Sequence, residues 1–304
     1  MKSKNSPHVI NSISEQHRYL GLPKPKHPMV SVFRFENILT EYEAMQNFTL
    51  NFYCIAIKKN FSGKLKYGQQ YYDFDEGILS FISPHQLLSH TTGDPVPPEG
   101  ICLMFHPDFL VGHALASKIS TYGFFSYELN EALYLSEQEE KMIENILYNI
   151  ETEYHSSIDH FSADVIITQI ELLLHYSNRF YHRQFITRKP ATHDLLIKLE
   201  HILSDYFNSS AVSEKGLPTV QAIAAQLHMS PNYLSDMLRT ITGQSTQQHI
   251  QHKVIEKAKE ILTTTNLSVS EIAHQLGFEY PQSFNKLFKS KTKVSPLEYR
   301  KSFN

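Results

Sequence analysis

Cysteine is scarce in this chain. Two residues, Cys54 and Cys102, stand among 304, and both lie inside apolar runs. That excludes a disulfide framework and predicts buried thiols in a reducing compartment. No long apolar run is present. The most apolar helical stretch, Val165 to Leu174, is interrupted by Gln169 and Glu171 and is too short to cross a bilayer. The start, Met1 to Pro28, is polar and has no apolar core of a signal peptide, so a cytoplasmic location is expected. The glycine-rich phosphate loop, the dinucleotide fingerprint and the G-x-S-x-G elbow are all missing. His85, His90 and His106 are the only plausible metal ligands in the β-rich region. None forms an H-x-H pair followed by a carboxylate, so neither a metal nor a cofactor is expected. An enzyme is therefore the rival reading, and the expectation is against it.

What is present is a repeat in the last ninety or so residues. The first copy begins at Val220 and carries Ile223, Ala224, Gln226 and Leu227. The second begins at Val269 and carries Ile272, Ala273, Gln275 and Leu276, a step of 49 positions. Further along, Leu234, Met237 and Leu238 match Phe284, Leu287 and Phe288 at a step of 50, so the second copy has one extra residue in its turn. Each copy reads as two short helices around a tight turn. Ala224 and Ala273 allow close crossing. His228 and Gly277 fall where the turn needs φ > 0. The apolar spacing i, i+3, i+4 leaves the opposite face of each second helix polar, the layout in which such a helix enters the DNA major groove.

Charge is divided along the chain. From Thr187 onward there are 14 Lys and Arg against 10 Asp and Glu. The rest holds 14 against 21, for an overall formal charge of −3. A basic C-terminal part beside an acidic N-terminal part fits a chain of which one part meets phosphates.

The C-terminal stretch resembles the AraC/XylS family of bacterial transcription regulators. The resemblance rests on Gly243, on Ile255-Glu256-Lys257-Ala258-Lys259-Glu260-Ile261-Leu262, on Ile272-Ala273 with Gly277-Phe278, on Phe288-Lys289, and on Pro296-Leu297-Glu298-Tyr299-Arg300. It covers about residues 193–304. Asp236 departs from the basic or neutral residue frequent there, and Lys293 stands where many members have glycine, a change expected to cost only ~1 kcal/mol. The resemblance implies double-stranded DNA and RNA polymerase as partners, with the choice between activator and repressor left open. It also implies a small-molecule effector for the N-terminal part and a homodimer. A DNA-binding protein whose N-terminal part only dimerises is the alternative to a sensor.

The expected fold is α+β in two domains. An N-terminal arm (residues 1–28), mobile or loosely packed at its start and approaching the core from Leu20 to Pro28, precedes a β domain (29–135). Short β-rich segments at Val30–Arg34, Leu50–Lys58, Leu65–Phe74, Gly77–Ile82 and Gly100–His106 suggest a sandwich or barrel. The family resemblance makes this a cupin-like barrel. Phe109 to Ile119 reads as a helix, and Phe124 and Phe125 as packing groups. A helical segment (136–186) opens on a Ser136–Glu139 capping box. Its apolar stripes, Met142, Ile143, Ile146, Leu147 and Ile150, then Val165, Ile166, Ile170, Leu173, Leu174 and Phe180, fit packing on the barrel or a dimer seam equally well. Residues 186–192 read as a polar linker. The all-α domain (193–304) then has a helix at His193–Phe207, a loop at Asn208–Pro218, the first unit capped by Thr219, a linking helix at Thr246–Thr264 and the second unit.

The expected base-reading residues are Asn232, Ser235, Asp236 and Arg239 on the first polar face, and Gln282, Ser283, Asn285, Lys286 and Lys289 on the second. Asn and Gln pair with adenine, Arg and Lys with guanine, and short hydroxyls fit either.

Overall fold

The computed structural model describes residues 8–39, 48–59, 65–67, 70–72, 77–88, 99–128, 131–156, 159, 161–187, 189–209 and 211–303. It divides into two compact units, Met1–Gln184 and Phe185–Asn304.

The N-terminal unit is built on a five-stranded sheet. Its strands are β2 (Val30–Arg34), β4 (Tyr53–Lys59), β7 (Ile78–Ile82), β9 (Glu99–Phe105) and β10 (Leu133–Tyr134), in the order β10-β7-β4-β9-β2. All pairs are antiparallel, with Ile55 opposite both Phe81 and Leu103 at the centre. A smaller sheet, β1 (His8–Ile10), β3 (Phe48–Leu50) and β8 (Leu87–Leu88), has a parallel β1–β3 pair. The strands β5 (Leu65–Tyr67) and β6 (Gln70–Tyr72) form a separate hairpin.

The expected barrel is not closed: among the described residues the two edges of the large sheet, β10 and β2, do not pair. At Asn51-Phe52 the expected Leu50–Lys58 strand bends and changes sheet. Phe52 is fully buried at that corner. One core lies between the two sheets. Cys54, Ala56, Cys102 and Met104 from the large sheet meet Ile10, Leu50 and Leu88 from the small one. Period-2 alternation puts Ile55, Ile57 and Leu103 on the other face, and they are equally buried. Against that sheet packs α3 (Glu137–His155), which contacts β2 and β9.

The start of the arm joins this core, contrary to expectation, and Leu20 and Leu22 join it as expected. Ser12 caps α1 (Ile13–Tyr19), accepting from the Glu15 amide, and Ile10, Ile13, Leu20 and Leu22 are buried. Residues 1–7 lie outside the described residues. The expected helix Phe109–Ile119 is instead a 3-10 turn (Pro107–Leu110) followed by the short α2 (Leu115–Lys118). Phe124 and Phe125 are buried as expected, Phe124 stacking on Tyr181 at 5.5 Å. The Ser136–Glu139 capping box forms. Of the apolar stripes, Ile143, Ile146, Leu147, Ile150, Ile166, Ile170, Leu173, Leu174 and Phe180 are buried within the single chain, so intramolecular packing uses most of the expected seam. Arg34 forms a forked pair with Glu151, and Lys59 bridges Glu140 and Glu144, pinning α3 to the sheet.

His17 of α1 is buried, between the Pro23 carbonyl, to which Nδ1 donates, and the Ser31 hydroxyl, 2.8 Å from Nε2. Burial pushes its pKa below the usual 6.5, partly opposed by the Pro23 bond. The unfolded chain therefore takes up this proton before the folded one. His17 thus contributes stability above about pH 6.5 that is lost as pH falls. Hydrogen exchange of the α1 amides should speed up between about pH 7 and 5, after correction for intrinsic rates, and His17→Gln should remove most of that dependence. An unchanged dependence in the variant would assign it to other groups, such as His27, whose pKa burial also lowers.

The chain leaves this unit along α4 (Ser162–Thr187). The C-terminal unit contains α5 (Lys189–Asn208), α6 (Ala211–Lys215), α7 (Val220–Gln226), α8 (Pro231–Thr242), α9 (Thr246–Thr264), α10 (Val269–Gln275), α11 (Pro281–Thr292) and α12 (Pro296–Lys301). Two expectations are corrected here. Most of the supposed linker is helical, in α4 and α5, and the stretch read as a loop after Asn208 contains α6. Among the described residues no helix is long and apolar enough to cross a membrane.

Candidate nucleic-acid interface

The two helical pairs, α7–α8 and α10–α11, are built by the same local bonds. Thr219 caps α7 by accepting from the Ala222 amide at 3.1 Å; Ser268 and Glu271 form a reciprocal capping box on α10. Both first helices then close in the same way. The Met229 amide donates to the Ala224 carbonyl at 3.0 Å, and the Phe278 amide to the Ala273 carbonyl at 2.9 Å. These bonds require a left-handed residue just before them. His228 supplies φ 56° and Gly277 φ 81°. Ala224 and Ala273 are buried at the crossings.

The second helices each begin with proline in the first turn, span 12 residues and stand 50 positions apart. The extra residue therefore lies in the Phe278–Tyr280 turn. The repeat continues further than the apolar spacing indicates. Gly243 and Lys293 both end their helices in the left-handed region, at φ 74° and 68°. Ser245–Gln248 and Ser295–Glu298 are matching capping boxes on α9 and α12. A Ser-x-x-Gln/Glu signature was the sequence signal for this extension.

Tyr233, Leu234, Met237 and Leu238 of α8, and Phe284 and Phe288 of α11, are buried, while Leu287 is half-buried. The opposite faces differ in how free their side chains are. On α11, Gln282, Ser283, Asn285, Lys286 and Lys289 are all exposed. On α8, Asn232 and Arg239 are exposed, but Asp236 is half-buried and accepts from Arg239 Nη1 at 2.7 Å. Ser235 is also half-buried, its hydroxyl 3.0 Å from that of the buried Thr246 on α9. The nine expected residues thus fall on the two faces, with Ser235 already engaged inside the protein.

The frame behind these faces is α9, whose bounds match the expected linking helix. Ile250, Val254, Ile255, Ala258, Ile261 and Leu262 are its buried stripe. Arg300 of α12 donates to the carbonyls of Leu262 and Leu267 at 3.1 and 2.7 Å, tying the last helix to the exit of α9. Tyr280 stands exposed at the start of α11, a position the apolar spacing does not single out.

Of the three histidines considered as metal ligands, His85 is exposed in a left-handed turn, His106 accepts from the Asp108 amide, and His90 lies outside the described residues. Among the described residues no group of three or more His, Cys, Asp or Glu is arranged to hold a metal ion.

Residues 223–302 match the family model of a helix-turn-helix domain. This chain is similar to an uncharacterized HTH-type transcriptional regulator, YijO, of Escherichia coli, with 34% identity over 86 residues. The match is 28% of this chain and 30% of that relative. It is also similar to the raffinose operon transcriptional regulatory protein RafR of Pediococcus pentosaceus, at 34% over 84 residues, again 28% of this chain and 30% of the relative. The chain thus spans less than a third of the length of these curated relatives. Among solved structures, it is similar to the C-terminal domain of the response regulator yesN of Fusobacterium nucleatum. There the identity is 32%, the TM-score 0.30, and the coverage 34% of this chain and 93% of that one. The C-terminal unit is a helix-turn-helix domain. The relatives it resembles over that stretch are transcriptional regulators.

Proposed function

We propose that this chain is a transcription regulator of AraC type, not an enzyme. In this reading α8 and α11 enter successive major-groove segments of one duplex. The N-terminal unit takes a small-molecule effector and biases the DNA affinity or the contact with RNA polymerase through a population shift. The observation that carries the reading is the repeated α7–α8 and α10–α11 construction with two polar outward faces. A homodimer finds support in the exposed apolar side chains Phe161, Val165 and Leu172 at the start and along α4.

The spacing supplies the test. The linking helix has 19 residues. At about 1.5 Å per residue it is ~28 Å long, close to the ~34 Å turn of B-DNA. One chain should need two non-identical half-sites about ten base pairs apart, without a palindrome. Inserting about five base pairs between them puts one half-site on the far side of the duplex, so affinity should fall to that of one unit. Unchanged affinity would leave only one unit reading DNA. A thermal shift of the N-terminal unit on adding the effector separates a sensor from a constitutive binder.

A further inference from the structure

We propose that Arg239 reads a guanine in the first half-site and that Asp236 is the positioning residue that aims it, while Lys286 and Lys289 of the second unit hold phosphates. This rests on the reading above that α8 and α11 enter the major groove.

The repeat makes the comparison direct. At the step of 50, Asp236 corresponds to Lys286 and Arg239 to Lys289. The second unit therefore offers two exposed ammonium groups that form no ion pair among the described residues. Ammonium groups are flexible point charges suited to phosphates of any sequence. The first unit offers instead an acid and a guanidinium in contact, with no net charge between them. Asp236 Oδ1 takes one N–H of Arg239 at 2.7 Å, while the Arg239 side chain stays 58% exposed. A guanidinium has five N–H groups in a rigid fork, so a bidentate edge remains for guanine O6 and N7.

An acid facing DNA weakens binding unless a cation covers it, and an exposed i,i+3 pair adds little to stability. Its placement on this face is accounted for by what it does to the arginine. A long side chain held before DNA arrives loses less freedom on binding. Asn232, Asp236 and Arg239 lie at i, i+4 and i+7, one stripe of α8. Ser235, turned to Thr246, leaves that stripe to the other three.

The experiment is selection of binding sites from randomised duplexes by the full chain, followed by salt titration. The wild type should select one strong guanine in the first half-site. Arg239→Lys keeps the charge but not the fork, so discrimination at that guanine should fall about tenfold with the salt slope unchanged. Asp236→Asn should lower the same discrimination while raising affinity for random DNA. Combining the two should do no more to the preference than Arg239→Lys alone. Lys289→Ala should leave the preference intact and flatten the salt slope by about one. A guanine preference that survives Arg239→Lys overturns the assignment, and one that survives Asp236→Asn removes Asp236 from it. In both cases a selected motif in the wild type keeps the proposed function standing. No selected motif at all would bring down that function and this inference together.

Discussion

Leu276→Ala is expected to destabilise the C-terminal unit by about 2–5 kcal/mol and to abolish DNA binding. Leu276 ends α10 and is 2% exposed, beside Ile272 at 0%. It lines a half-open pocket of about 290 Å³ together with Phe207 of α5, Val212 of α6 and Ile261 of α9. Truncating a side chain this deeply buried removes its packing contacts, and the loss rises with the volume left unfilled. The first repeat provides the control. Its equivalent, Leu227, is only half-buried, so Leu227→Ala should cost clearly less. Urea unfolding of the full chain, with hydrogen exchange in α9–α11 marking the relevant transition, measures both. A Leu276→Ala chain that stays folded and binds DNA like the wild type would contradict the placement of the second unit.

The contrast between Leu276 and Leu227 also shows where sequence reasoning reached. Pattern alone matched these two leucines, because helix spacing and turn chemistry are local. It located α9, both turns and the left-handed residues His228 and Gly277 for the same reason, while only the family resemblance marked Lys293. Burial is not local. Leu276 is deeper because α6 lies over the second unit, and α6 has five residues, too few to show a helical period. The supposed linker failed on a rule with two meanings. Proline occurs in linkers and also in first helical turns, and Pro190 of the 186–192 segment is the second residue of α5, where no N–H is needed.

The N-terminal unit was legible as strands but not as sheets. A parallel β1–β3 pair, forty residues apart in register, leaves no local signal, and at the start of the arm the buried Ile10 and Ile13 are diluted by polar neighbours. At the site, the outward faces followed from the period of the helix. The engagement of Ser235 did not, since its partner Thr246 lies across a turn on α9.

The largest backbone effect is expected at Gly277. Four left-handed positions close helices in the two repeats, His228 and Gly277 after the first helices and Gly243 and Lys293 after the second, and their surroundings differ. At Gly243, with φ 74°, an added Cβ would meet nothing within 4 Å. Gly243→Ala should therefore cost only the conformational strain of about 1–2 kcal/mol. At Gly277, with φ 81°, the same atom would stand 2.7 Å from the Val212 carbonyl oxygen and 2.8 Å from the Gly216 carbonyl carbon. Those are backbone atoms of α6 and of the turn after it, which cannot rotate away as a side chain can. Overpacking of this kind adds roughly 1–3 kcal/mol to the strain, so Gly277→Ala should cost about 2–5 kcal/mol in total. Lys293, at φ 68°, already bears the strain without glycine. Lys293→Gly should relieve it and stabilise α11 by up to about 1 kcal/mol. The order expected from urea unfolding is Lys293→Gly above wild type, then Gly243→Ala, then Gly277→Ala. Hydrogen exchange in α6 should rise only in the last of these, because only there does the new atom push on α6. Equal losses for the two glycine variants would mean that α6 does not press on the turn, and that Gly277 serves the turn alone.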